Sequence, residues 1–158
     1  MDKIVDIADF EVSKNPNCTL VTRSLGSCIA LAVWDPVIKI GGILHYMLPD
    51  SAIFPEKAQA NPCMFANTGV PLLFQSYCAL GAEKRRTVVK VAGGAQLIGS
   101  QDTFDAGRRN YLVLKEWLWQ SGVMIGGEDV GGCGGRTMLL EIGTGRVRIR
   151  SNSREYQI

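Results

Sequence analysis

A chain of 158 residues, 46% apolar and 20% charged, can bury roughly two thirds of its unfolded surface around one core, so a single domain over 1–158 is expected. Its 17 basic and 15 acidic residues give a net charge of +2, which supports neither a disordered chain nor a nucleic-acid-binding class. No apolar run approaches the ~18 residues of a bilayer span, and MDKIVDIADFEV is acidic where a signal peptide is basic, so a cytoplasmic protein without membrane insertion is expected.

In chain order, strands are expected at CIALAVW (28–34) and IGGILHYML (40–48), joined by a turn at DPVIK, where Asp35 can bond local backbone and Pro36 fixes its own φ. Residues 50–66 read as a loop over the molecule. NTGVPLLFQSYCALG (67–81) reads as a helix capped by Asn67 or Thr68, with Pro71 in its first turn and Gly81 as its stop. TVVKVAG (87–93) is the next strand. A second helix, 107–122, carries apolar residues around most of its circumference, which predicts burial on more than one side, Trp117 and Trp119 included. VMIGG (123–127), RTMLLEI (136–142) and RVRIR (146–150) complete the strands. Helices and strands do not alternate regularly, so the expected fold class is α+β, a single-domain sandwich of mixed or antiparallel sheets flanked by two main helices.

The chain has one histidine, His45, and five cysteines without CxxC spacing. This predicts free thiols, no metal site and no cofactor. If Pro36 and Val37 alone form the hairpin loop, Cys28 lies directly opposite His45; a one-residue slip puts the two on opposite faces, and a longer turn containing Lys39 or Gly41 moves the pairing by two. A thiol beside an imidazole can give up its proton and attack as a thiolate, which predicts reaction of Cys28 below the ordinary thiol range. The LGS turn before it offers amide N–H groups near Gly26, Ser27 and Cys28 for a developing oxyanion. Thr22, on the approach, can orient the imidazole. Against this, a lone cysteine or histidine in apolar strands is commonly a core residue.

Elsewhere, Gly93, Gly94, Gly126, Gly127 and 131–135 read as turns and close packing, not a phosphate cradle. Lys84, Arg85 and Arg86 read as a solvated cluster, Glu128 and Asp129 as loop anchors. Arg108, Arg109 and Asn110 suit either a helix cap or the lining of a substrate groove.

Taken together, TRSLGSCIALAVWDP (22–36), GGILHYMLPDS (41–51), TGVPLL (68–73), KVAGGAQL (90–97), GRRN (107–110), GGEDVGGCGGR (126–136) and TGRVRIR (144–150) resemble the ordered landmarks of the CheD chemoreceptor glutamine deamidases. One departure is Ala106, where that family usually carries a bulky aliphatic residue. The resemblance implies an α+β sandwich similar to toxin-type cysteine deamidases, with Cys28 as nucleophile, His45 as base and acid, and Thr22 positioning the histidine. It implies hydrolysis of glutamine side-chain amides on methyl-accepting chemoreceptors through a thioester. It also implies a rival role as an interaction module that binds a CheC-type phosphatase.

Overall fold

The computed structural model describes residues 1–96 and 105–158; Leu97, which closes the KVAGGAQL block, lies outside them. The elements are β1 (Asp2–Ile4), β2 (Asp9–Ser13), β3 (Thr19–Leu25), β4 (Ile29–Asp35), β5 (Ile40–Tyr46), α1 (Pro55–Ala60), α2 (Ala66–Ala79), β6 (Val88–Gly93), α3 (Ala106–Gln120), β7 (Ile125–Val130), β8 (Arg136–Glu141), β9 (Val147–Ser151) and β10 (Arg154–Gln157). They form two five-stranded sheets, ordered β1-β3-β8-β9-β10 and β2-β5-β4-β6-β7. Both are mixed, because β1–β3 and β6–β7 pair in parallel and the other pairs are antiparallel. The fold is α+β, as expected.

The unbroken apolar character of β4 has a plain cause: both faces of the strand are covered. Ile29, Leu31 and Val33, with Leu44 and Tyr46 of β5, pack under α2 and α3 against Leu73, Tyr77 and Leu114. The alternate residues Ala30, Ala32 and Ile43 face the other sheet and meet Leu20, Leu25, Met138 and Leu140. Each large aliphatic side chain buried this way contributes about 1.5–3 kcal/mol of transfer free energy. The space between the sheets is therefore lined mainly by apolar side chains, and β5 delivers its histidine into it.

The β4–β5 hairpin corrects the two-residue loop. Asp35 pairs with Ile40 and Ala30 with His45, leaving the four residues Pro36 to Lys39 in the turn. Lys39 takes a left-handed φ of 54° and its N–H reaches the Asp35 carbonyl at 2.8 Å, while the Asp35 carboxylate accepts from Val37 N–H at 2.9 Å. Cys28 consequently sits two residues back from the partner of His45 instead of opposite it.

The first main helix starts earlier than its cap signal. Phe65 precedes Ala66 without a side-chain cap bond, and Pro71 lies inside the helix. Asn67 and Thr68 bond outward instead, Asn67 Oδ1 accepting from Ser51 N–H and Thr68 Oγ1 donating to the Pro62 carbonyl. The second helix is buried along one stripe, Gly107, Asn110, Leu114 and Leu118. Trp119 is 83% exposed, against expectation. Residues 50–66 contain α1 and two one-turn helices in place of a plain loop.

Candidate active site

Three strands converge on the site. Cys28 ends the short turn between β3 and β4, His45 lies in β5 and Thr22 in β3 of the facing sheet. Cys28 and Ala30 share a side of β4, and Ala30 is the direct partner of His45. Cys28 and His45 are thus diagonal neighbours on one face, a relation that sets the residues about 7–8 Å apart and their Cβ atoms somewhat closer. The structure therefore brings Cys28, His45 and Thr22 into one space between the sheets. His45 and Thr22 are fully buried; Cys28 is half-buried.

Hydrogen bonding fixes the state of the imidazole. Thr22 Oγ1 donates its proton to the Val5 carbonyl at 2.7 Å. A carbonyl can only accept, so toward His45 Nδ1, also at 2.7 Å, the hydroxyl must be the acceptor. The ring then carries its proton on Nδ1 and presents a lone pair on Nε2. That Nε2 is buried and has no hydrogen-bond partner. Burial pulls the His45 pKa down from 6.5 to about 4. Burial also pushes the Cys28 thiol up, offset only in part by its own backbone N–H. Both shifts favour a neutral thiol beside a neutral imidazole, so the resting ion pair expected from the residue types alone is not what this environment favours.

The turn before Cys28 is held from behind. The carbonyls of Gly26 and Cys28 accept from Ala95 N–H at 2.9 Å and Gly94 N–H at 2.8 Å. The Ser27 carbonyl accepts from Asn110 Nδ2 at 2.9 Å, and the same nitrogen donates to the Met47 carbonyl at 2.8 Å. Gly93, at φ 109°, is obligatory here, because an added Cβ would stand 2.1 Å from the Cys28 carbonyl oxygen. Of the turn residues singled out as oxyanion donors, Gly26 has its N–H committed to the Ser24 carbonyl at 3.1 Å. Ser27 N–H, with Cys28 N–H, makes no hydrogen bond to another residue among the described ones. Asn110 is a site residue whose role the sequence left open. A polar residue near a helix start reads equally as a cap, and only the fold turns it inward.

Several of the other candidates have structural partners. Arg86 leaves the solvated cluster to pair with fully buried Asp35 at 2.7 Å. Glu128 accepts from Tyr111 Oη at 2.5 Å, and Asp129 accepts from Tyr156 Oη. Arg136, buried, donates to the Gly93 carbonyl at 2.9 Å and pins the end of β6. Among the described residues no group of three His, Cys, Asp or Glu is arranged to hold a metal ion, and no helix is long and apolar enough to cross a membrane.

Residues 47–151 match the family described as CheD chemotactic sensory transduction. A probable chemoreceptor glutamine deamidase CheD of Solibacter usitatus (strain Ellin6076) is 47% identical over 155 residues, 98% of this chain and 92% of that protein. The chain belongs to the CheD family. Two further CheD relatives with the same description are similar over nearly their whole length. That of Syntrophus aciditrophicus (strain SB) is 49% identical over 96% of this chain and 94% of its own. That of Syntrophotalea carbinolica (strain DSM 2380 / NBRC 103641 / GraBd1) is 41% identical over 99% of both. The family match begins two residues after His45, so the three site positions precede it.

Proposed function

We propose that this CheD protein, one domain over residues 1–158, hydrolyses the side-chain amide of glutamines on the cytoplasmic helices of chemoreceptors to glutamate and ammonia. Cys28 is the nucleophile, His45 the base and acid, and Thr22 the group that holds the imidazole. The observation that carries this reading is the chain from His45 Nδ1–H to Thr22 Oγ1 to the Val5 carbonyl, which leaves Nε2 as an unprotonated base on the face shared with Cys28.

The neutral resting pair sets the order of events. His45 Nε2 takes the thiol proton as the sulfur–carbon bond forms, so negative charge passes to the amide oxygen and does not settle on sulfur. The imidazolium returns that proton to the departing nitrogen, releasing ammonia and leaving a thioester. Water, deprotonated by His45, then attacks the thioester; the carbon–sulfur bond breaks, the sulfur takes back the proton from His45, and the acid formed ionises to glutamate, its proton passing to the released ammonia.

A purified chemoreceptor cytoplasmic fragment tests the assignment by the mass gain of replacing an amide NH₂ with OH. Wild type should produce it, and Cys28→Ala and Cys28→Ser should not. Deamidation by both variants at the wild-type rate rules the nucleophile out.

This activity belongs in the cytoplasm, and a CheC-type phosphatase is a proposed partner on the family resemblance. An exposed apolar face supports a second reading, binding to a protein partner: Trp119 and Met124 are 83% and 85% exposed beside Val123. An adaptor keeps its effect on the partner when Cys28 is replaced by Ala.

A further inference from the structure

Three consecutive carbonyls in the turn before β4, those of Gly26, Ser27 and Cys28, all point into the protein and are all bonded there. In a trans peptide the N–H of the next residue points opposite to the carbonyl. Anchoring the Gly26 and Ser27 carbonyls inward therefore turns Ser27 N–H and Cys28 N–H toward the open side of the turn, and successive N–H groups so aligned form an anion-binding concavity. The Cys28 N–H lies against its own sulfur, where the oxygen of an attacked amide arrives.

Two of these anchors are backbone N–H groups of Gly94 and Ala95; the third is a side chain. Asn110 reaches the turn from α3, fully buried. Its two acceptors are both carbonyls, which fixes its nitrogen toward them and leaves Oδ1 without a partner. One amide thus ties the residue before the thiol to Met47, two residues beyond the imidazole. Tyr46 Oη donates to the Asn110 carbonyl at 2.6 Å and holds that turn of the helix against β5.

We propose that Asn110 is the positioning residue of the oxyanion site, holding the Ser27 carbonyl so that the Cys28 N–H is aimed at the substrate amide oxygen. This rests on the reading of Cys28 as nucleophile. Asn110→Ala should lower kcat on the receptor fragment about 10²-fold, the usual cost of one lost oxyanion donor. KM should stay within about twofold, and so should the rate at which iodoacetamide alkylates Cys28, since attack at a saturated carbon builds no oxyanion. A merely structural Asn110 would slow alkylation and deamidation together. Asn110→Asp, able to donate only while protonated, should regain activity relative to wild type as the pH is lowered.

Full activity of Asn110→Ala, or parallel loss of both rates, overturns the proposal while Cys28→Ala remains inactive. Activity in Cys28→Ala removes the covalent reading and the proposal with it. Should neither Asn110 variant fold, the wild type decides. A receptor peptide with its target amide replaced by an aldehyde forms the oxyanion of a hemithioacetal: the sulfur–carbon bond forms, the carbonyl π pair moves onto oxygen, and the thiol proton passes to His45. In the NMR spectrum of that adduct both the Cys28 amide proton and the Asn110 side-chain amide protons should move; if either stays in place, the proposal fails.

Discussion

A fully buried histidine is a weak proton acceptor at rest and, once protonated, a strong acid, and His45 owes both properties to the sheet that covers it. Cys28 and His45 are legible in the sequence, because a thiol and the one imidazole on neighbouring apolar strands are conspicuous, whereas Thr22 reads only as a hydroxyl on the approach to them. Their protonation states are not legible, since the covering side chains include Met138 and Leu140 of β8, distant in sequence. The Thr22 hydroxyl carries the tautomer, so Thr22→Ser should retain most activity while Thr22→Val should lower kcat by at least about 10-fold. A receptor-fragment assay with both variants checks this, and equal rates would remove the hydroxyl from the mechanism. Cys28 should be alkylated readily only above the ordinary thiol range, the reverse of what a resting ion pair would give.

The elements that the sequence reveals are those with both faces buried or a long amphipathic stripe; those it hides are short and polar. DFEVS, TLVTRSL and REYQ form β2, β3 and β10, yet none alternates cleanly: in β3 Leu20, Val21 and Thr22 are buried in succession before Arg23 and Ser24 are exposed, and β10 is exposed throughout. The loss matters for β3, which carries Thr22. The hairpin register is hidden for another reason: it depends on a left-handed Lys39 that no residue preference announces. Glycines that look alike in sequence differ in space. Gly93 and Gly131 both have positive φ, 109° and 84°, but an added Cβ meets the Cys28 carbonyl oxygen at 2.1 Å in the first and nothing within 4 Å in the second. Gly131→Ala should therefore cost about 1 kcal/mol, the strain of left-handed backbone alone. Gly93→Ala should cost about 3 kcal/mol or more and displace the nucleophile, abolishing deamidation. Denaturant titration of the two variants beside wild type measures the difference; equal losses would mean the turn is not held as described.

At the scale of the whole molecule, irregular alternation of elements was enough to indicate a sandwich. The sheet order was not readable, because pairs such as β3 with β8 join residues more than a hundred positions apart. That long-range closure makes the molecule sensitive to acid. The folded His45 pKa of about 4 lies below its ordinary 6.5, so between these values the unfolded chain binds a proton that the folded molecule refuses. Stability from this group is fully present above pH 6.5 and falls as the pH drops toward 4, by on the order of 3 kcal/mol over the window. Asp35 acts in the same direction lower down. Burial would raise its carboxyl, but Arg86 and the N–H groups of Glu83 and Val37 hold it below the usual carboxylate range, so its contribution is lost only as it protonates in stronger acid. His45→Gln carries no titrating ring, whereas the other carboxylates titrate alike in both proteins. From pH 7 to 4.5 the wild-type Tm should fall by about 5–10 °C more than that of His45→Gln, at ~2–4 °C per kcal/mol for a chain of this size. Parallel melting curves across that range would mean that the imidazole is hydrated and free to take up a proton in the folded protein, and the case for Nε2 as a desolvated base would fail with it.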